Sequence, residues 1–378
     1  MARRPHIAFG HHKLSFGGGE RVMIEQVAAL ADLPVDISLL YMKDPDHLDI
    51  VPELRDRNPN IREIRYAPGK WDCALWLAWN RPDLSVACYH RGFFRAQDTL
   101  RQWGFRLPMM AVIHEHYEDQ RQYHQRFARS IDAWMIDYDW RVRLQGWFPG
   151  ARVQVAHPVY PRETWPAWGD AIRKEARAAM GIPEEALVVG YVGRMDINKE
   201  PWSVIRVAEH LQSQTSRPVH VLLAGADMDA TRLRLDEATA HSPLKDRIHR
   251  PGRIQDVSGA YQSLDLFVLA SWQEGFFPLS LIEAMERGVP VLASTVGGIS
   301  TVLESGHGGF FIHKADDQQP IPAEALKQAV ETLVPEILDA ARWKQQRTLA
   351  VQRVKALIEG YDAATPFRQA VLDQLESC

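Results

Sequence analysis

Cysteine is scarce in this chain: only Cys73, Cys88 and Cys378, an odd number without metal-type spacing. That excludes a disulfide framework and a cysteine zinc motif, and it points to a reducing compartment. No run of roughly 18 apolar residues exists, so no segment is expected to span a membrane. The opening Met1-Ala-Arg-Arg-Pro-His6 enters a short strand at once, which argues against a signal peptide. Positive charge is not in excess either. The net charge of −4 removes any general electrostatic case for a nucleic-acid partner. No tandem repeat is visible. A length of 378 residues makes two domains the default. Tryptophan departs in the other direction: there are 12, several between Trp71 and Trp147, which suggests an amphipathic surface in the first half.

Strand and helix signals alternate along the chain. Apolar strands are expected at 6–9, 35–40, 61–66, 84–89, 109–113, 134–136 and 153–156, most with a helix between them. Met23, Val27 and Leu30 mark one face of a helix over 21–31. This is the pattern of a doubly wound α/β domain with a largely parallel sheet. It breaks at His157-Pro-Val-Tyr-Pro-Arg-Glu-Thr-Trp-Pro-Ala-Trp-Gly169, a proline-rich linker. A second series follows, with strands at 187–192, 219–223, 247–250, 266–269 and 289–293. The last third is helical and ends in an amphipathic helix over 361–375. We therefore expect domains at 1–160 and 161–360, with 361–378 packing back on the first and a ligand cleft between the two.

The run Glu274-Gly-Phe-Phe-Pro-Leu-Ser-Leu-Ile-Glu283 carries the most information. Glu274 follows a strand, where a carboxylate can accept hydroxyl hydrogen bonds. Glu283 is expected in the first turn of the next helix, beside free backbone N–H groups that favour anions. Either acid alone reads better as an ordinary strand-end or helix-start residue. Together they suit a ligand rich in hydroxyls and phosphate, such as a nucleotide sugar. Gly193-Arg194 and Lys199 follow another strand, with a helix expected from Pro201. A guanidinium fork and a movable ammonium beside a helix N-terminus suit a pyrophosphate. Gly17-Gly-Gly-Glu-Arg21 lets backbone approach a ligand closely and allows positive φ. It is not a dinucleotide fingerprint.

Ala111-Val-Ile-His114-Glu-His116-Tyr-Glu118-Asp119, with His124, ends a first-domain strand. These side chains read either as polar loop residues or as ligands of a divalent metal in a hydrolase. His90 to Arg106 mixes aromatics with arginines. It reads as a patch touching a membrane or, slightly better, as core aromatics with solvated arginines.

These motifs, in this order and at these intervals, resemble glycosyltransferase family 4, the retaining GT-B glycosyltransferases. The resemblance covers most of the chain. It implies a GT-B fold: two doubly wound Rossmann-like domains facing a central cleft. It implies that His114 faces the donor sugar, with His116 as fallback, and that Gly18 and Gly19 lie near the transferred sugar and acceptor. Arg194 and Lys199 would bind the diphosphate, Glu274 the sugar and Glu283 the ribose. Gly225 would lie near the donor, backbone around Arg253 and Ile254 would hold the base, and Gly275, Phe276, Phe277, Pro278 and Leu279 would complete the donor loop. The chain departs from the family pattern in three places. Eight residues instead of seven separate the glutamates, Glu200 stands where glycine usually follows the lysine, and Thr301 stands where a glutamate often follows Gly297-Gly298. An extra residue inside the helix would turn Glu283 by about 100°, so we assign it to the Phe276-Phe277 loop. Asp137-Tyr-Asp139 and Asp227-Met-Asp229 match the D-x-D metal motif of GT-A enzymes but are read as structural.

The sequence thus predicts a metal-independent, cofactor-free hexosyltransferase-type enzyme. It would use a nucleoside diphosphate sugar, of UDP or GDP type, and a glycan, lipid-linked or small-molecule hydroxyl acceptor. Its setting would be surface glycan or glycoconjugate synthesis, in the cytoplasm or peripherally at the inner face of the membrane. The alternatives are a hydrolase using His114 and His116, a non-catalytic nucleotide-sugar-binding protein, and an epimerase, against which the paired glutamates argue.

Overall fold

A computed structural model describes residues 3–15, 17–43, 45–46, 48–88, 90–113, 126–136, 153–155, 169–254, 257–274, 278–314, 319–359 and 364–377. The His114–His124 cluster, Asp137–Asp139, most of the proline-rich linker and Gly275–Phe277 lie outside the described residues. The chain divides into two compact units, Met1–Arg162 with Tyr361–Cys378, and Glu163–Gly360.

The first unit is built on a parallel sheet of seven strands: β1 (His6–His11), β2 (Asp36–Tyr41), β3 (Ile61–Tyr66), β4 (Leu84–Ala87), β5 (Met109–Ile113), β6 (Ala133–Ile136) and β7 (Val153–Val155). Their order is β3-β2-β1-β4-β5-β6-β7. The strands β1, β2, β4 and β5 are buried on both faces, as a sheet covered by helices on both sides requires, whereas the edge strand β3 (Ile-Arg-Glu-Ile-Arg-Tyr) is largely exposed or half-buried. The helices between them are α1 (Gly18–Ala28), α2 (Val51–Arg57), α3 (Lys70–Asn80) and α4 (Arg91–Gln102). A further helix, Ala364–Glu376, belongs to this unit. Its Phe367, Ala370 and Val371 are buried in one core with Ile7, Phe9, Met23 and Val86. The Phe367 ring lies 6.4 Å from that of Phe9.

The second unit has a six-stranded parallel sheet ordered β10-β9-β8-β11-β12-β13. Its strands are β8 (Leu187–Val192), β9 (Val219–Ala224), β10 (Ile248–Gly252), β11 (Leu266–Leu269), β12 (Val291–Ser294) and β13 (Gly309–Ile312). All the anticipated strands appear within two residues of their expected ends. β13 was not anticipated, because four residues following a glycine-rich turn carry too little pattern to register.

At the amino ends of β8 and β11, Asp265 ties this unit together. Its carboxylate accepts from Arg173 and Arg177, each at 2.7 Å, from Arg347 at 2.9 Å and from the backbone N–H of Val188 at 2.9 Å. The arginines come from helices Asp170–Ala179 and Ala340–Glu359, so one acid pins two helices to the starts of two strands. Burial alone would raise the Asp265 pKa. The guanidiniums of Arg177, Arg347 and Arg173 override it and hold the carboxyl well below the usual range.

Candidate active site

In an open parallel sheet the ligand crevice forms beyond the carboxyl ends of the strands, where the strand order reverses. In the second unit that point lies between β8 and β11, since β9 is on the other side of β8. The loop after β8 carries Arg194 and Lys199, and the loop after β11 carries Glu274. The fold brings two of these together: the Lys199 ammonium donates to the Glu274 carboxylate across 75 positions of sequence. Glu274 is buried, and Lys199 keeps a fifth of its side chain exposed.

Around this pair the loops are stitched backbone to backbone. The Trp272 N–H donates to the Asn198 carbonyl at 3.0 Å, and its indole N–H to the Ile197 carbonyl at 3.0 Å. Ser271 donates its hydroxyl to Glu274, and Ser294, at the end of β12, donates to the Ser271 carbonyl. Glu274 is therefore held at its base by β11 and β12 and at its tip by the β8 loop. Tyr191 is fully enclosed; burial first, and then the charge of Glu274, push its phenol pKa up. Its hydroxyl stays protonated and donates to the Arg194 carbonyl at 3.3 Å. The Arg194 side chain is exposed, 3.6 Å from Asp196.

Gly225 shows why this corner needs glycine. Its φ is +147°, and a Cβ built on it would stand 1.8 Å from the Gly193 carbonyl oxygen. The loops after β8 and β9 thus touch at their backbones. The Gly193 N–H donates to the Ala224 carbonyl at 2.9 Å and the Gly225 N–H to the Gly252 carbonyl at 2.8 Å. Arg253, exposed, and Ile254, half-buried, follow directly.

Glu283 needs a correction. Pro278 is the N-cap and helix Leu279–Glu286 begins after it, so Glu283 falls in the second turn and no acid occupies the first. The helix-start N–H groups expected beside it belong to the turn before it. The Tyr261 hydroxyl donates to its carboxylate at 2.8 Å. The helix runs unbroken through Glu283, and Leu279 is buried at its start. The glycine-rich loop does not use the positive φ that its glycines allow. Gly17 is extended, and Gly18 and Gly19 form the first turn of α1. What they supply is bare backbone at a helix start, just beyond β1. The Asp227 carboxylate is taken by Arg250 at 2.7 Å, and Asp229 opens helix Asp229–His241.

Sequence reasoning missed several residues. Glu200, next to Lys199, has φ +43°, in the left-handed region, and is buried. Its carboxyl accepts from the Ser203 hydroxyl at 3.0 Å and the Ile321 N–H at 3.3 Å. The family's glycine at this position was the available signal: only a backbone conformation suited to glycine would prefer it there. In the first unit, the reversal lies between β1 and β4. His11 ends β1 and His90 follows β4; both are buried. Burial pushes their pKa values down to about 4 and about 3, so both are neutral. His90 Nδ1 accepts the Phe93 N–H at 3.1 Å, capping α4, while Nε2 lies 3.7 Å from the Cys73 sulfur. Among the described residues, no group of three or more His, Cys, Asp or Glu could hold a metal ion.

Two doubly wound parallel domains with these loops at the strand ends make the GT-B fold of glycosyltransferases. Residues 186–334, most of the second unit, match the family described as glycosyl transferases group 1. The chain is 26% identical over 214 residues to a D-inositol 3-phosphate glycosyltransferase of Corynebacterium urealyticum, covering 54% of this chain and 50% of the relative. It is 30% identical over 189 residues to the Corynebacterium diphtheriae protein of that name, covering 48% and 41%. The chain thus spans about half the length of the curated relatives it matches. Similar solved structures include HepE of Anabaena in complex with UDP and glucose, with TM-score 0.75, 17% identity and coverage of 99% and 100%. Sucrose-phosphate synthase of Thermosynechococcus elongatus gives TM-score 0.76, 20% identity and coverage of 99% and 100%.

Proposed function

We propose that this chain is a retaining glycosyltransferase that moves a sugar from a nucleoside diphosphate sugar to a hydroxyl acceptor without a metal. The observation that carries this reading is the Lys199–Glu274 ion pair at the strand-order reversal of the second unit. A donor entering there offers its diphosphate to Lys199 and Arg194. Glu274 is then free to accept hydrogen bonds from sugar hydroxyls, and Glu283, steadied by Tyr261, accepts them from the ribose. The backbone of Arg253 and Ile254 holds the base; Gly275 to Leu279 close the donor loop. The family resemblance assigns His114, Gly18 and Gly19 to the sugar and acceptor.

In the reaction the bond from the anomeric carbon to the diphosphate oxygen breaks, and the acceptor oxygen bonds to the same face. The acceptor proton passes to the departing phosphate. Negative charge grows on the diphosphate in the transition state, so cations positioned there lower the barrier. UDP in complexes of a structural neighbour makes UDP-sugars the first donors to test. The same reading assigns the chain to surface glycan or glycoconjugate synthesis on the cytoplasmic side. No helix among the described residues is long and apolar enough to cross a membrane.

The test is a thermal-shift panel of UDP-, GDP- and ADP-sugars in EDTA, since a ligand bound to the native state raises its stability. Nucleoside diphosphate release and the product's anomeric configuration are then followed by NMR. One nucleotide class should stabilise the protein, and transfer should proceed in EDTA with configuration retained. Stabilisation by no nucleotide, or turnover that requires added zinc or manganese, would sink the proposal, the latter in favour of the hydrolase.

A further inference from the structure

The amphipathic surface suggested by the tryptophans from Trp71 onward includes α3, while the phenylalanines of α4 are core, the reading favoured for the His90–Arg106 segment. In α4, Phe93 and Phe94 are buried core residues. On α3, by contrast, Trp71, Leu75 and Trp79 are 53%, 72% and 89% exposed. They recur every four residues, so they form one stripe on the helix. The opposite face, with Cys73, Ala74, Trp76 and Leu77, is buried in the core shared with α4. Trp103, 60% exposed just after α4, stacks on Trp71 at 5.8 Å between ring centroids and 27° between planes. Large apolar side chains exposed singly are ordinary, whereas a stripe extended by a stacked indole is a continuous patch.

Cations accompany it. The Lys70 ammonium lies 4.2 Å from the Trp71 ring, and the Arg81 guanidinium 5.4 Å from the ring of half-buried Phe105. Exposed Arg106 follows Phe105. Against these three cations stands one acid on the exposed helix face, Asp72. The patch is thus locally basic on a chain whose net charge is −4.

We propose that this face docks on the headgroup layer of a membrane containing anionic phospholipid. Indoles settle at that depth because the ring is apolar while its N–H seeks water. The stripe spans about 12 Å along the helix, and an amphipathic helix lying flat buries its apolar face to about 5–10 Å. Lys70, rather than the arginines, argues for lipid over protein as occupant. Centres of protein interfaces are depleted in lysine, yet Lys70 lies directly over one of the patch's own rings. An ammonium over an indole at headgroup depth meets lipid phosphate instead.

The experiment is flotation of the full chain with vesicles of phosphatidylcholine alone, and of phosphatidylcholine and phosphatidylglycerol in equal parts. Binding should be strong only to the anionic vesicles and should weaken with salt. Leu75→Glu with Trp79→Glu should reduce it roughly ten-fold or more, with an unchanged melting temperature because both side chains are exposed, and Lys70→Glu should reduce it about five-fold or more. Failure of the wild-type chain to float with anionic vesicles at low salt would overturn the proposal. So would wild-type binding by the folded double variant. A dimer in solution that the double variant converts to monomer, with vesicle binding unchanged, would assign the face to a second copy of the chain.

Discussion

Replacing Lys199 by methionine and Glu274 by glutamine, singly and together, tests the site where its physics is most constrained. Glu274 is 5% exposed and Lys199 20%. Removing one partner of a fully buried pair costs about 3–5 kcal/mol, whereas an exposed pair is worth about 1 kcal/mol or less. The partial exposure of Lys199 puts this pair between those limits. We expect Lys199→Met to cost about 1–3 kcal/mol, because Glu274 would keep only the Ser271 hydroxyl among its two side-chain partners. The double variant removes both charges and should cost less than the two singles combined, by about 1–2 kcal/mol. Urea denaturation of the four proteins gives these numbers. Calorimetry in EDTA gives the functional half. Lys199→Met should weaken nucleoside diphosphate binding about ten-fold or more, the loss of one charge-assisted hydrogen bond. Glu274→Gln should depress turnover more than diphosphate affinity, since it acts at the sugar. Additivity within about 0.5 kcal/mol, together with unchanged diphosphate binding by Lys199→Met, would refute the reasoning.

Tyr261→Phe removes only the hydroxyl that steadies Glu283. It should weaken nucleotide binding by about 1 kcal/mol, read by titration calorimetry, and Glu283→Ala should do so at least as strongly; no effect of either would detach Glu283 from the ribose. Gly225→Ala places a methyl 1.8 Å from the Gly193 oxygen at a φ of +147°. It should lower the melting temperature and the affinity for nucleoside diphosphate together, and a variant with wild-type values would contradict the close approach. Asp265→Asn leaves buried arginines without their counter-charge and should cost about 3 kcal/mol or more, about 6 °C or more in melting temperature. The Asp265 pKa is lowered in the folded state, so its stabilisation is present above the unfolded carboxylate pKa of about 3.9 and is lost as pH falls. Wild type and Asp265→Asn should therefore converge in stability on acidification, and parallel curves down to low pH would exclude that linkage.

The alternation of strands and helices was legible because most strands are buried on both faces and read as short apolar runs; the edge strands β3 and β10, which carry arginines, are the exceptions. Gly309–Ile312 escaped because it starts on a glycine inside a glycine-rich turn, which hides the beginning of its short apolar run. Arg194, Lys199 and Glu274 were legible as residue types at strand ends. Their assembly was not, because a contact over 75 positions leaves no local trace. Tyr261 was invisible for the same reason, being 22 positions from Glu283. Glu283 was misplaced by a turn because the helix starts only after Pro278. Glu200 registered merely as a departure from glycine. Its backbone still adopts the glycine-like conformation, and its carboxyl gains a bond to Ile321 that glycine could not make. The exposed stripe on α3 was half legible. The tryptophans were counted, but composition does not say which of them face inward.

The helix Ala364–Glu376 gives the chain an unusual order of assembly. The core of the first unit requires Phe367, Ala370 and Val371, which are synthesised only after all of Glu163–Gly360. On a ribosome the second unit, contiguous in sequence, can finish folding first, whereas successive domains generally fold from the N-terminus. A folded second unit is far more compact than the same segment unfolded, which shortens the effective loop to be closed when Phe367 reaches Phe9. Until then the apolar groove that receives Phe367 stands open, so the nascent first unit is the stage at which a chaperone would be needed. Pulsed hydrogen exchange during refolding should protect β8 and β11 before β1; the reverse order would show that the first unit closes without waiting for its final helix.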